Sequence, residues 1–360
     1  MNKKLIALAV AGASIAPAAM AQTANPVTLY GRAYAMFESV EQNGPTAAST
    51  LTRRNRVSDQ SSLFGVRGTE DLGGGLKAFF QLETGFKIDQ NDTTFAARNS
   101  AVGLQGGWGS ILMGRWDTPY KTVTTAIDPF GDLTLGGYTA VMNGAGVRGV
   151  TGTNAFDRRE QNVVQYWSPS WAGVAFRLSY AANEGRTATL NPLSQGASVS
   201  YTGGPVYLAY AYHEFKDQSF GVTGTVTPKK QDANQIVGTF TFGPIRLGAA
   251  YEKIKRDGFT DRKAWLGNII WTFGNNQLIY QFSKGKDGET SALTQPDCDA
   301  NVAGYQYNFS RRTFFLAQYT KVDNKTSTST CNFGATPGAI GASSPGVEAK
   351  GIALGLRHIF

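Results

Sequence analysis

"GIALGLRHIF" (residues 351–360) alternates with a period of two: Ile352, Leu354, Leu356, His358 and Phe360 share one face, and Ala353, Gly355, Arg357 and Ile359 share the other. A chain with that period is a strand between two different environments. Chain ends are commonly polar and frayed, so this mostly apolar segment is expected to be a strand that must pair with another to leave no open edge. The opposite end reads the same way. In "VTLYGRAYAMFESV" (27–40), Leu29, Gly31, Ala33, Ala35 and Phe37 oppose Tyr30, Arg32, Tyr34 and Glu38. "NNQLIYQFS" (275–283) sets Leu278, Tyr280 and Phe282 against Gln277, Gln281 and Ser283, and "VAGYQYNF" (302–309) sets Ala303, Tyr305, Tyr307 and Phe309 against Gly304, Gln306 and Asn308. A soluble β-sandwich would alternate as well, so the connections between strands carry the decision.

Seven tight turns rich in Gly, Pro, Asn or Ser punctuate the chain: 70–75, 106–109, 168–173, 202–205, 242–244, 273–276 and 310–312. Between them lie eight longer polar connections, 41–57, 87–97, 117–157, 182–195, 216–233, 256–262, 286–300 and 324–347. Short and long alternate throughout, which predicts sixteen antiparallel strands with both ends on the side of the short turns. Outer-membrane barrels segregate loop length this way because their two rims face different compartments.

Composition agrees. Charged residues are 17%, against a typical figure of about 25%, while the chain holds 43 Gly, 15 Tyr and 21 Phe but only 2 His. After residue 21 no run is long and apolar enough for a spanning helix. Residues 1–21 carry Lys3 and Lys4, an apolar run and Ala19-Met20-Ala21, and are expected to be a cleaved signal peptide. The net charge is +8, and loss of Lys3 and Lys4 with that leader leaves a surplus of six basic residues. Such a surplus is either a solvated basic surface or a preference for anionic solutes. The expected organisation is therefore a signal peptide (1–21) and one all-β domain (22–360), a 16-stranded antiparallel transmembrane β-barrel.

Seven stretches, in order, carry a resemblance to a known family: "VTLYG" (27–31), "FGVRGTEDLGGGLKAFFQLE" (64–83), "SAVGLQGGWGSILMGRWDTPY" (100–120), "DPFG" (128–131), "RREQNVVQYWSPSWAGV" (158–174), "SRRT" (310–313) and "GLRHIF" (355–360). The chain resembles the Gram-negative general porins of the betaproteobacterial and neisserial type. The resemblance implies a homotrimer in the outer membrane, among lipid and lipopolysaccharide, whose third long loop folds inward to narrow a water-filled channel for ions and small hydrophilic solutes. It also implies insertion by the barrel assembly machinery, with Phe360 at the end of the recognition signal. Neither a cofactor nor a nucleic-acid partner is expected.

On that resemblance the connection 117–157 is the constriction loop, with Asp128, Asp132 and Asp117 as acidic candidates. Arg98, Arg115 and Arg159 are the basic candidates across the lumen, and strand parity adds Arg67. Facing rows of opposite charge would set a transverse field across a narrow aqueous pore, giving a mild anion preference if the arginines dominate. The alternative for each arginine is a lumen-facing wall residue paired with a nearby carboxylate. Two positions depart from the family pattern: Leu63, where a basic residue is common, and Tyr34, where an acid is common. Arg32 has the parity to replace the charge missing at Leu63.

Other motifs carry less. "GGGLK" (73–77) lacks the spacing of a phosphate-binding loop and reads as a turn. His213 is expected to face the lumen near the outer rim and His358 the lipid interface, and neither has a metal-ligand spacing. Cys298 and Cys331 fall in the last two long connections of an exported chain. A disulfide between loops and two separate thiols both fit the sequence. No nucleophile stands beside a base in the sequence pattern, so an enzyme is not expected. A surface adhesin, resting on the Ser/Thr/Gly-rich connection 324–347, is the remaining alternative to a channel.

Overall fold

Alternating apolar and polar residues fold into strands whose two faces differ. The structure, a computed structural model, describes residues 27–44, 46, 50–90, 93–131, 134–142, 156, 158–182, 184–217, 230–257, 261–287, 297–325, 331–333 and 346–360. The expected signal peptide and Asp132 lie outside the described residues. The first half of the sheet contains β1 (Thr28–Asn43), β2 (Leu51–Asp59), β3 (Leu63–Gly73), β4 (Leu76–Phe86), β5 (Thr93–Thr94), β6 (Ser100–Gly106), β7 (Gly109–Asp117), β8 (Arg159–Trp167) and β9 (Val174–Ala181). The second half contains β10 (Leu193–Gly203), β11 (Val206–Lys216), β12 (Lys230–Phe242), β13 (Ile245–Arg256), β14 (Arg262–Phe273), β15 (Asn276–Asp287), β16 (Cys298–Asn308), β17 (Thr313–Asn324) and β18 (Glu348–Ile359).

These segments make a closed barrel of sixteen strands. β2 and β3 both pair with β1, on different parts of its length, so they are one barrel strand broken at Gln60–Ser62. β5 and β6 likewise both pair with β4 and are one strand broken at residues 95–99. Every pairing is antiparallel, and β18 pairs with β1 from Arg32↔Ile359 to Asn43↔Glu348, which closes the ring. Gly31 and Phe360 extend that seam by exchanging two backbone hydrogen bonds, each 3.0 Å long. Closure removes both edges, which a sheet in hydrocarbon cannot leave unpaired.

The seven predicted tight turns all join neighbouring strands, and the long connections fall on the opposite rim. Two of the turns need glycine. Gly243 and Gly274 open two-residue hairpins at positive φ, 54° and 57°, a conformation that costs a residue with a Cβ about 1–2 kcal/mol.

The outer face carries Leu29, Phe37, Leu208, Ile236, Leu278, Ile352 and Leu354, all exposed, as a lipid-facing surface must. Trp108, Trp171, Phe242, Phe273, Phe309 and Phe360 are exposed near the short turns and form an aromatic girdle at that rim. His358 lies on the outer face there, with Nδ1 2.9 Å from Thr313 Oγ1. His213 faces inward and is buried, with Nε2 3.0 Å from Ser194 Oγ. Cys298 and Cys331 are joined as a disulfide with Cα atoms 6.2 Å apart, tying the start of β16 to the last long connection.

The Phe360 ring crosses the open face of Gly31 and seals the seam. Phe360→Ala should cost about 1–2 kcal/mol, less than a core Phe because the ring is half exposed. Urea unfolding in lipid vesicles, followed by the shift between folded and unfolded bands on a gel, measures it.

Candidate functional site

The connection between β7 and β8 turns inward at Thr118. Its Oγ1 accepts a hydrogen bond from Lys121 N at 3.1 Å and caps a short helix, α1 (Pro119–Thr125). Pro119 suits that first position, where a backbone N–H would have no partner. A 3₁₀ turn at Tyr138–Ala140 follows. A backbone segment inside a barrel must find hydrogen-bond partners that no sheet ladder supplies.

Those partners come from inward residues of successive wall strands. On β12, Gln235 Oε1 accepts from Thr124 Oγ1 at 2.7 Å. From β13, Arg246 Nη2 donates to Ala126 O at 2.8 Å, while Glu252 Oε2 accepts from the Tyr120 hydroxyl at 2.8 Å. From β14, Asn268 Nδ2 donates to Ile127 O at 2.9 Å and Arg262 donates to Val141 O. From β15, Gln281 Nε2 donates to Gly136 O at 2.9 Å. Burial and the neighbouring Glu252 carboxylate hold the Tyr120 phenol well above its ordinary pKa, so it remains a donor. Apolar contacts complete the seat: Phe130 fills the space over Gly304, and Leu135 that over Gly351.

With the loop fixed on one wall, a cavity of about 470 Å³ remains between it and the opposite wall. Arg98 and Arg159 line it from the wall, and Asp128 and Asp117 line it from the loop and its root. Arg98 Nε is 2.7 Å from Glu83 Oε1, and Arg159 Nε is 3.0 Å from Asp117 Oδ1 and 2.9 Å from Asn99 Oδ1. Both arginines are thus paired wall residues and cavity-lining groups at once. Arg67 keeps its inward parity but lies further toward the short turns, over the Tyr30 ring at 4.9 Å and in a separate hollow with Trp116 and Trp167. Arg115 is not among the residues lining this cavity; its Nε donates to Ala97 O at 2.7 Å. A register shift between Gly114 and Trp116 displaces it from simple parity.

Four more cations join the cavity: Arg32, Lys121, Arg246 and Arg357. Arg32 pairs in register with Leu63 and donates from Nε to Ser61 O at 2.8 Å, so a cation does stand beside the apolar position. Arg357 lies over the Phe314 ring at 5.1 Å, and Phe314 packs edge-on against Tyr34 at 5.7 Å. Inward parity in "IRLGAAYEKIKR" (245–256) and "GIALGLRHIF" (351–360) was the signal for Arg246 and Arg357. Among the described residues, six cationic side chains thus meet two carboxylates in this cavity.

A closed barrel with an apolar outer face, a polar bore and a loop that narrows it defines a transmembrane channel. Residues 7–327 match the family model described as Gram-negative porin. Outer membrane porin protein 32 of Delftia acidovorans is 30% identical over 100% of both chains. A major outer membrane protein P.IB of Neisseria meningitidis serogroup B is 29% identical, over 88% of this chain and 92% of its own. A solved anion-selective porin from Comamonas acidovorans superposes with a TM-score of 0.79 at 26% identity, covering 93% of this chain and 100% of that one. The chain belongs to the Gram-negative porin family, and is a general diffusion porin of the outer membrane.

Removing a wall donor should loosen the loop. Asn268→Leu and Gln281→Leu each strand a buried carbonyl, at a cost of about 1–3 kcal/mol. Single-channel recordings should show new sub-conductance steps in these variants while the barrel still migrates as folded on gels.

Proposed function

We propose that the channel passes small hydrophilic solutes with a mild preference for anions, set by the cationic ring of the constriction. The excess of six cations over two carboxylates among the described residues of one cavity carries this reading. Arg98 and Arg159 are each partly neutralised by a carboxylate. Arg246 bonds only a neutral carbonyl and Arg357 only a ring among the described residues, so these two contribute the least compensated charge. Low-dielectric walls focus such charge on the bore, and the guanidinium fork hands an anion from one donor set to the next. The relative solved from Comamonas acidovorans, described as anion-selective, supports the same sign.

Arg67 serves the approach from the short-turn side, Arg115 braces the wall, and Asp128 with Asp132 supplies the opposing acids. The working unit is a homotrimer embedded in outer-membrane lipid and lipopolysaccharide, inserted by the barrel assembly machinery through the strand that ends in Phe360. A Vibrio cholerae outer-membrane protein solved in trimer form shares this fold at a TM-score of 0.67. The chain acts by passive diffusion and performs no reaction.

Reversal potentials in planar bilayers under a potassium chloride gradient test the ring. Arg98→Ala, Arg159→Ala, Arg246→Ala and Arg357→Ala should each reduce the anion preference about two- to fivefold, equivalent to roughly 0.5–1 kcal/mol. The Arg246 and Arg357 variants should lose the most. Unchanged potentials would remove these residues from the filter, and folded barrels without conductance would reverse the channel assignment.

A further inference from the structure

Arg67, Gln81, Ala101 and Gly114 stand in register as one inward row across β3, β4, β6 and β7. Three strand spacings separate its ends, about 14 Å. The middle of the row is low, because Ala101 is small, Gly114 has no side chain, and Gln81 Nε2 is turned aside to Asn99 O at 3.0 Å. In the next row the Phe79 ring lies in the space that a side chain at Gly103 would fill. The result is a hollow of about 470 Å³ on the short-turn side of the constriction, with Phe79 in its wall, Arg67 at one end, and Trp116 and Trp167 at the other. Small-molecule sites commonly measure about 300–1,000 Å³.

The two ends differ in chemistry. Arg67 lies over the Tyr30 ring at 4.9 Å and has no ion pair among the described residues. Glu83, the inward carboxylate two residues along β4 from Gln81, is committed to Arg98 at 2.7 Å and accepts from the Tyr30 hydroxyl at 3.2 Å. Asp71 faces Lys77 in register, in the row that also holds Gln105. Among the described residues no carboxylate and no second cation line the hollow, so the Arg67 charge stands uncompensated there. At the opposite end Trp116 and Trp167 pack edge to face, with ring centroids 5.4 Å apart. The Trp167 N–H is taken by Gln165 Oε1 at 2.9 Å, and Arg177 lies over its ring at 4.7 Å. The Trp116 N–H has no hydrogen-bond partner among the described residues. The register shifts beside it, between Gly114 and Trp116, an irregularity of the kind that re-aims a side chain.

One cation, no acid and a set of rings call for a ligand with a single negative charge and an aromatic body. We propose that this hollow binds a one-ring aromatic monocarboxylate, of the benzoate class, with its carboxylate on the Arg67 fork and its ring between Phe79 and Trp116. A planar guanidinium matches a carboxylate bidentately, and ring–ring contacts gain more than the area they bury. The proposal rests on the channel reading and gives it a solute class. Binding beside the constriction raises the local concentration of that solute, and conduction requires that it stay weak enough to release. An aliphatic acid gains from Arg67 but not from the rings, and a dicarboxylate finds no second cation.

Currents through the refolded full chain in planar bilayers, in potassium chloride with benzoate added on one side, test it. Benzoate should lower the mean current saturably. Cyclohexanecarboxylate, equal in charge and similar in size, and neutral benzamide should each act about tenfold more weakly, a difference of ~1.4 kcal/mol. Arg67→Gln and Trp116→Leu should each weaken the benzoate effect about five- to tenfold. Arg67→Lys, which keeps the charge and loses the fork, should fall between native and Arg67→Gln. Cyclohexanecarboxylate acting as strongly as benzoate, a benzoate effect unchanged in Arg67→Gln, or no effect on the native channel would each overturn the proposal. Open current before benzoate is added shows that each variant has folded as a channel. Reversal potentials of the same membranes report the constriction by themselves, so failure of the anion preference and failure of the aromatic site are read separately.

Discussion

A sheet inside hydrocarbon has no water to accept its edge, and that single constraint organises the molecule. The pairing of β1 with β18 answers it, running from Asn43↔Glu348 down to Arg32↔Ile359 and on through Gly31 and Phe360. Once the ring is closed by antiparallel pairs, the strand count is even and the connections divide between two rims. The outer surface is then free to be apolar and the bore free to be polar. Each strand carries both requirements on alternate residues, as Tyr34, Met36 and Glu38 face inward while Phe37 faces out.

The constriction loop reopens the same accounting inside the barrel. Its carbonyls at Ala126, Ile127, Gly136 and Val141 are met one by one by side chains of the far wall. The narrowness of the bore is thus a property of the wall as much as of the loop. Arg246 shows the economy of the arrangement: one guanidinium both anchors the loop and lines the cavity that the loop defines. The electrostatics follow from the packing, since the position of the loop decides which inward cations share a cavity.

The architecture was legible because period two is local. Ile352, Leu354 and Leu356 announce a lipid face without reference to any other strand, and turn composition announces the rims. Depth within the bore was not legible in that way. Arg67 and Arg98 both face inward, yet of the two Arg98 lines the cavity beside the loop and Arg67 a separate hollow, because the inward fold of the loop fixes that level and sequence spacing does not. Arg115 was obscured by the register shift beside Gly114, and Arg246 and Arg357 have parity signals that a motif-led reading passes over. The proximity of Cys298 and Cys331, 33 residues apart in sequence, is a contact between two long connections, which strand parity does not report.

The two breaks in the wall, at Gln60–Ser62 and at residues 95–99, have a consequence for how such a channel can diversify. Where the ladder is interrupted, Ser61 O and Ala97 O are released from strand pairing and serve Arg32 and Arg115 instead. Ser61 and Ala96 adopt positive φ there, 65° and 53°, so the chain has already left the pleat. A substitution in an unbroken strand must respect the register of two neighbours, whereas one at these breaks chiefly rearranges the groups that hold cations. The barrel therefore keeps its variable grammar apart from its fixed one. A change at the first break can rearrange Arg32 in the cavity while the pairing of β1 with β18 stays as it is.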